Sequence, residues 1–471
     1  MSIDKRKLSK NLFTAFAAQL VIFAVSAIMS LMVPKLLGVE EFGYWQLFLL
    51  YSSYVALFHF GLNDGVYLLA GGKSFHEMNS SSINSQFLVG VCFESLLSLA
   101  LFLFVFANFG FGPRSFVVGA FAIFIVIFNL GAYWGAVCQA ANETNIYSKM
   151  MMIDRCAFLV PLLIGVFFGI AEFEYYIISY IASRCLAALY IMFRCRGLLR
   201  APLLGFVDSL AQSFESIKVG IKLTISYSAS VFVLGAGRFI ADGVWGIEEF
   251  GQLSFALSLL NFFIVFVNQV GMVLFPALRK VDASEFKQTL FGLTTLMDWL
   301  LPVFYVVYYP ISLLAEWWLP QYALGFQWLS ILLPICVYNC RMEVISTTSM
   351  KVLRKETSLM FINVGFAALS FVCACLSGYV IGDMQLLLWA MVIPVIARSV
   401  FAEVYVNKII SLKCWKSIGM GLIFSCIYLA SMTAFGSIAA VGFVALTYLF
   451  FVILRREELL GFVSKLRKKQ H

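Results

Sequence analysis

Arginines and carboxylates lie inside long apolar runs of this sequence, where a charged side chain is costly. The arginines are Arg184, Arg341 and Arg398, and the best placed acids are Glu94 and Asp298. A guanidinium holds a phosphate or carboxylate through two parallel hydrogen bonds, whereas a carboxylate shielded from water is suited to exchanging a proton or a sodium ion. The residue types therefore indicate anion binding by the three arginines and ion coupling by Glu94 and Asp298.

The elements that position these charges are transmembrane helices. Hydrophobic residues make up 62% of the 471-residue chain and charged residues 12%, whereas soluble chains carry roughly 25% charged residues. Apolar runs of roughly 18 residues or more recur throughout, and each is long enough to cross about 30 Å of hydrocarbon. Such segments must be helical, because lipid offers no partner for backbone N–H and C=O groups. We therefore predict an all-α, polytopic membrane protein with about 14 transmembrane helices.

The predicted spans follow the breaks between apolar runs. We place them near 11–33, 44–70, 85–109, 115–140, 149–170, 175–195, 219–241, 250–277, 289–313, 323–348, 357–380, 384–408, 416–435 and 437–454. The connections are short, and the longest, about 196–218, has the composition of an amphipathic helix on the membrane surface. The amino-terminal segment lacks a cleavable-signal pattern, so the first span is expected to be retained.

Each of the three arginines lacks an acidic residue three or four positions away on its own predicted helix. A guanidinium at the bilayer centre costs at least about 2.5 kcal/mol on insertion scales. A carboxylate from another helix, water in a cavity or an anionic ligand would offset that cost. Two interpretations stay open: structural ion pairs between helices, or a cationic cavity that receives an anion. Arg238 and Asp242 are four residues apart, and this spacing predicts a local salt bridge.

A repeated hexapeptide indicates how the helices are arranged. GVEEFG at 38–43 recurs as GIEEFG at 246–251, with six predicted spans between the copies, so both copies have the same orientation. This is typical of a parallel repeat, with two six-helix bundles related by an axis along the membrane normal. We predict bundles at 1–197 and 198–410, the second with a cytoplasmic linker at its start, and two additional helices with a basic tail at 411–471. The paired glutamates are interpreted as helix capping rather than cation binding.

Basic residues predict the orientation of the chain. Nearly all lie in alternate loops and in the terminal segments, so both termini are expected in the cytoplasm. This asymmetry also accounts for the net charge of +8. Because the charges are spread over many short loops, a nucleic-acid partner is not expected.

Several classes of protein are disfavoured by the sequence. No outer connection is long enough for a membrane glycosyltransferase or polymerase, and no Ser/His/Asp or metal-ligand cluster occurs, so we predict neither an enzyme nor a cofactor. AGGKS at 70–74 is not a phosphate-binding loop, because the first glycine of that motif would fall on Tyr67. The eleven cysteines include no CxxC pair and are interpreted as buried free thiols rather than metal ligands.

The segment VPKLLGVEEFGYWQLFLLYSSYVALFHFGLNDGVYLLA resembles the first-to-second-span signature of Wzx-type polysaccharide flippases. These belong to the multidrug/oligosaccharidyl-lipid/polysaccharide (MOP) superfamily. FGLND at 60–64 matches the "GL" element of that signature, although the basic residue that usually follows is missing. The second-half signature Asp-Arg-Phe is present as GRF, with Gly237 at the acidic position.

The resemblance implies a MATE-like fold and a flippase for polyprenyl-pyrophosphate-linked oligosaccharides, of the undecaprenyl type. The products would be O-antigen, lipopolysaccharide or capsule and exopolysaccharide, and the location would be the bacterial cytoplasmic (inner) membrane. Transport would be alternating access coupled to H⁺ or Na⁺, with polysaccharide polymerase and chain-length machinery as further partners. Counterparts of the second and eighth spans line the cavity, which implies polar cavity residues His59, Asn63, Asn268 and Gln269. A MATE-type multidrug or cation antiporter and a lipid II flippase remain the alternatives.

Overall fold

The computed structural model describes residues 23–261, 283–412, 415–435 and 437–454, and within these ranges it contains helices and no strand. Ten of the described helices are long and apolar enough to cross a membrane, and Phe23–Leu36 and Val441–Ile453 are shorter apolar helices. The predicted all-α, polytopic architecture is confirmed, and this pattern is compatible with the predicted number of spans. The chain divides into two compact units, with the boundary between Ser254 and Phe255. The three domain ranges expected from the sequence stay a prediction.

The first unit contains the helices up to α9 and the start of α10. Their bounds are α1 Phe23–Leu36, α2 Val39–Ser52, α3 Leu62–Ala70, α4 Ser80–Phe109, α5 Pro113–Ala140, α6 Thr144–Phe168, α7 Phe173–Arg194, the single turn α8 Arg196–Leu199, α9 Phe206–Val244 and α10 247–261. Aromatic rings from α2, α5, α6 and α7 form one cluster that includes Trp45 of α2. They come from Phe48, Phe124, Phe158 and Tyr180. Such large, rigid rings fix the positions of the helices relative to one another.

The second unit contains the remaining helices. Their bounds are α11 Ala283–Leu300, α12 Pro302–Trp318, α13 Ala323–Arg341, α14 Thr348–Val352, α15 Glu356–Cys375, α16 Met384–Ile409, α17 Trp415–Phe435 and α18 Ser437–Leu454. Short π-helical turns follow α13 at Met342–Thr347 and α15 at Leu376–Ile381. π-Turns are frequent at functional sites. The first of these lies directly after Arg341.

The predicted second span, 44–70, is interrupted near its middle. Helix α2 ends at Ser52, a turn of 3₁₀ helix covers Val55–His59, and α3 begins at Leu62. Between them Phe60 and Gly61 have φ angles of 50° and 91°. Glycine adopts this left-handed conformation without steric cost, so Gly61 permits the break.

Helix α3 packs directly on α9 through small residues. A Cβ at Gly65 would collide with the carbonyl group of Ser216, and a Cβ at Gly220 would collide with the backbone of Gly61. Gly61 and Gly65 form a GxxxG pair, the spacing that lets two membrane helices approach to backbone contact. The sequence FGLNDG therefore forms a helix-packing site.

One predicted boundary was wrong. The linker 196–218 is not a separate surface helix, because α9 begins at Phe206 and runs without interruption for 39 residues. The predicted ninth span, 289–313, lies within the stretch Phe286–Trp318, which is long and apolar enough to cross a membrane, and Leu301 divides this stretch into α11 and α12. Pro302 begins α12, where a residue without a backbone N–H interrupts no helical hydrogen bond.

Candidate functional site

Arg341 lies at the centre of a buried ion cluster in the second unit. Its Nη2 and Nε donate to the two carboxylate oxygens of Glu403 on α16, at 2.7 and 3.1 Å. Its Nη1 donates to Oδ1 of Asp298 on α11 at 2.8 Å. Ser417 on α17 accepts from Nη2 at 2.8 Å and donates to Asp298 at 2.6 Å. The cluster therefore joins four helices through one guanidinium.

The net charge of this cluster differs in sign from that of the predicted cationic cavity. One guanidinium faces two carboxylates, so the ionised cluster carries a net charge of −1. Buried charges of this kind are tolerated only when nearly every donor and acceptor is satisfied, as the hydrogen bonds of Arg341 are. A void of about 10 Å³ beside Asp298 and Arg341 offers room for one water molecule. At Arg341 carboxylates from other helices offset the cost of the buried charge.

Arg184 on α7 forms a second, differently charged group in the first unit. Its Nε lies 3.1 Å from Oδ1 of Asp154 on α6, and Arg155 lies 3.6 Å from the other carboxylate oxygen. The guanidinium of Arg184 also lies 5.3 Å from the ring centre of Phe128 and 5.6 Å from that of Tyr180. Two arginines share one carboxylate here, and the aromatic faces stabilise the excess positive charge.

Arg398 on α16 is buried in the second unit, as Arg341 is. Its Nη2 donates to the amide oxygen of Asn339 on α13 at 2.8 Å, and its charge interacts with Glu343. Arg341 on α13 thus contacts a residue of α16, and Arg398 on α16 contacts a residue of α13. Arg184 lies in the other unit.

The two acids proposed for ion coupling have different surroundings. Asp298 is engaged by Arg341 and Ser417. Glu94 on α4 is 3% exposed, and among the residues that the structure describes it has no hydrogen-bond or ion-pair partner. A carboxylate left this way within an apolar helix is available to bind a proton or a cation.

Two of the four predicted cavity residues lie at the break in the second span. His59 and Asn63 are both buried, and Nδ1 of His59 accepts a hydrogen bond from the backbone N–H of Gly61 at 3.1 Å. Asp64, one residue further along α3, accepts from Thr224 on α9 at 2.5 Å. Asn268 and Gln269 lie outside the described residues.

A cavity of about 330 Å³ lies between α3, α4 and α9 in the first unit. Its polar lining includes the hydrogen-bonded side chains Ser82, Gln86, Gln212 and Ser216, with Lys73 and Glu215 also in the wall. Among the predicted site residues that the structure describes, none lines this cavity. Amide and hydroxyl groups of this kind suit a polar, hydroxylated ligand.

The sequence analysis did not predict Glu403 and Ser417 in the Arg341 cluster or Asp154 and Arg155 in the Arg184 group, and it paired Asp242 with the wrong arginine. Glu403 lies inside the predicted span 384–408 and was recognisable as a charge at hydrocarbon depth, whereas Ser417 carries no distinctive signal. The predicted salt bridge between Arg238 and Asp242 is wrong. Asp242 instead accepts two hydrogen bonds from Arg114 at the start of α5, at 2.7 and 2.8 Å.

Comparison with known proteins identifies the fold. No family model and no curated protein sequence matches the chain. The structure of the lipid II flippase MurJ in an inward closed conformation is similar, with a TM-score of 0.67 and 12% identity over 95% of this chain and 99% of that one. An inward-facing MATE multidrug transporter of the MOP superfamily gives 0.62 at 10% identity, over 85% and 98%. An outward-facing MATE transporter gives 0.57 at 9% identity, over 85% and 96%. The predicted MATE-like fold is confirmed, because the chain shares the fold of these MurJ and MATE structures.

Proposed function

We propose that this protein is a flippase that moves polyprenyl-pyrophosphate-linked oligosaccharide repeat units, for O-antigen, capsule or exopolysaccharide, across the bacterial cytoplasmic membrane. One observation carries the proposal. The likeness to the lipid II flippase extends over 95% of this chain and 99% of that protein, whereas the likeness to the MATE transporters covers 85% of this chain. Because the lipid II flippase matches a part of this chain that the MATE transporters do not match, we favour a lipid-linked substrate over an organic cation.

The substrate dictates what the protein must supply. The oligosaccharide and pyrophosphate are polar and anionic and need a hydrated cationic path, whereas the polyprenyl chain can remain in lipid. We assign Arg184 and Arg398 to this path. The shared carboxylate at Asp154 supports Arg184, because the group of Asp154, Arg155 and Arg184 retains an excess positive charge. We assign Arg341 to the structural ion cluster instead, because two carboxylates already occupy its guanidinium.

Ion coupling is assigned to Glu94. Its carboxylate is buried in α4 and has no hydrogen-bond or ion-pair partner in the described part of the chain. Uptake of H⁺ or Na⁺ there would therefore break no existing interaction. Asp298, the other candidate, would have to release Arg341 and Ser417 to bind an ion. This makes Asp298 the weaker coupling candidate.

The test is complementation in three bacterial backgrounds. One lacks its O-antigen flippase, one is depleted of its lipid II flippase, and one lacks its major drug exporters. We expect the chain to restore surface polysaccharide in the first background, to leave growth of the second unrescued, and to give no drug resistance in the third. Membrane protein levels, measured in all three, provide the control.

A lipid II flippase is the second candidate, because the fold comparison that supports the proposal is itself with a protein of that function. Rescue of growth in the lipid II flippase-depleted background, without restored surface polysaccharide, would replace the proposal with this candidate. Drug resistance alone would favour the MATE-type antiporter. Association with polysaccharide polymerase and chain-length machinery is expected only if the first outcome is obtained.

A further inference from the structure

The two copies of the repeated hexapeptide contact each other within the first unit. A Cβ at Gly43 would lie 2.5 Å from the carbonyl oxygen of Ile247 and 2.8 Å from its Cγ1. A Cβ at Gly251 would lie 2.6 Å from the carbonyl oxygen of Val39 and 3.3 Å from Cα of Gly43. In the repeat, Val39 corresponds to Ile247 and Gly43 to Gly251. The contact is therefore reciprocal, as expected at a two-fold axis.

Glycine is required on both sides of this contact. Helices α2 and α10 begin within the two hexapeptides, and their backbones touch where Gly43 and Gly251 meet. No side chain larger than hydrogen fits between them, so no space for a polar substrate remains at this point. Gly38, in the same hexapeptide, has no atom within 4 Å of the position of a Cβ. The close approach is thus confined to the glycine that ends each copy.

Arg238 bridges the same two helices one turn further along. Its Nη2 donates to the side-chain oxygen of Gln46 on α2 at 3.2 Å and to Oγ of Ser254 on α10 at 3.1 Å. Gln46 and Ser254 also occupy corresponding positions in the repeat. The guanidinium lies 5.3 Å from the ring centre of Phe250. One side chain on α9 therefore holds both helices together behind the glycine contact.

The chemistry of this bridge differs from that of the ion cluster at Arg341. In the described part of the chain Arg238 has neutral hydrogen-bond partners and no carboxylate partner. Water can replace an amide or hydroxyl acceptor at small cost when two helices separate, whereas separating a buried ion pair exposes two charges at once. The contact is consequently suited to repeated opening. The distribution of basic residues predicts that it lies on the outer side of the membrane.

We propose that residues 38–43 and 246–251 form the outer gate of the transport path, and that Arg238 is the positioning residue that holds this gate closed by bridging Gln46 and Ser254. The inference rests on the transporter fold and on no particular substrate. Opening to the outside then requires the glycine contact to part and Arg238 to release at least one of its two partners. Closure restores both sets of contacts.

The first test is hydrogen–deuterium exchange of the purified full-length protein, which needs no substrate. We expect Arg238→Gln to accelerate amide exchange about tenfold in residues 39–52 and 247–254 together, because both helices lose the same bridge. Arg238→Lys should recover part of the protection, since its ammonium keeps the positive charge and three N–H donors but lacks the planar guanidinium that fixes their direction. Gly43→Ala and Gly251→Ala should resemble Arg238→Gln, and Gly38→Ala should match the wild type. Unchanged exchange in Arg238→Gln would overturn the proposal.

The second test locks the gate. Cysteines replacing Gln46 and Ser254 are joined by a short bis-methanethiosulfonate, and the cross-linked peptide is identified by mass spectrometry to distinguish it from products of the eleven native cysteines. We expect the cross-link to stop transport and reduction to restore it, while treatment with the same reagent leaves the activity of each single cysteine variant at the level that variant shows untreated. Failure to form the cross-link, or transport by the cross-linked protein, would overturn the gate. If the wild type restores no surface polysaccharide, the proposed substrate is wrong, and the exchange experiment still decides the gate.

Discussion

In the cluster at Arg341, removing the arginine is expected to cost more stability than removing either of its two acidic partners. Glu403 and Asp298 both bind the same guanidinium, so removing one acid leaves a neutral ion pair, whereas removing the arginine leaves two buried carboxylates. Breaking a buried ion pair from one side costs about 3–5 kcal/mol. The residues of this cluster should therefore report on stability more than on substrate charge.

The prediction compares Arg341→Gln with Glu403→Gln. We expect Arg341→Gln to lower the thermal stability of the purified protein strongly, and Glu403→Gln to lower it much less, because the pair of Arg341 with Asp298 remains. The measurement is loss of the monodisperse peak after heating. Lys351→Gln, at an exposed position, is the control. Equal losses for Arg341→Gln and Glu403→Gln would show that the two carboxylates are not both engaged.

For Glu94 we expect substitution to affect transport and not stability. Glu94→Gln replaces a carboxylate that has no partner among the described residues, so the variant should reach the membrane at the wild-type level and fail to transport. The measurement is surface polysaccharide in the flippase-deficient strain, normalised to membrane protein. Asp298→Asn should instead reduce the protein level, since it removes a partner of Arg341. Normal polysaccharide with the double substitution would exclude both acids from coupling.

Substitutions of Arg184 distinguish the contribution of its positive charge from that of the guanidinium geometry. Arg184→Lys keeps the positive charge but loses the planar fork that binds two oxygen atoms at once, so transport should fall less than in Arg184→Gln. We expect a partial loss for lysine and a loss of about tenfold or more for glutamine, the factor that corresponds to one charged hydrogen bond. Arg196→Gln, at an exposed position, is the matched control. Full complementation by Arg184→Gln would leave this residue as a structural partner of Asp154.

At the scale of elements, the contact of α3 with α9 depends on glycine. Gly65→Ala places a methyl group against the Ser216 carbonyl, and overpacking of this kind costs about 1–3 kcal/mol. We expect a lower melting temperature and a lower yield of folded protein. Gly365→Ala is the control, because no atom lies within 4 Å of its added Cβ. If Gly65→Ala has the same melting temperature as the wild type, α3 and α9 are not in backbone contact.

At the scale of the whole molecule, orientation is the property that the basic residues predict most directly. Both termini and the loop that ends near Lys218 should face the cytoplasm, because positively charged loops are retained on that side. Alkaline phosphatase fused after Lys218 or at the carboxyl terminus should be inactive, and fused within 38–43 it should be active. Green fluorescent protein fusions at the same sites provide the reciprocal control. Phosphatase activity at the carboxyl terminus would invert the predicted topology.

The sequence by itself determined the class and the architecture. Composition and the length of the apolar runs require membrane helices, because no other structure satisfies the backbone in lipid, and the recurrence of GVEEFG as GIEEFG indicated the parallel repeat. These signals are local or periodic, so they can be read along the chain. The buried charges were identifiable for the same reason, since a charge within an apolar run stands out from its neighbours.

Only the tertiary structure decided which groups meet. Arg341 contacts acids 43 and 62 positions away, and Asp242 pairs with Arg114 rather than with Arg238 on its own helix. The interruption at Phe60 and Gly61 and the backbone contact of Gly43 with Ile247 were equally hidden. Helix periodicity fixes the direction of a side chain around its own axis, but its partner depends on the packing of several helices. That packing is set by the sum of many weak contacts, which no single spacing in the sequence records.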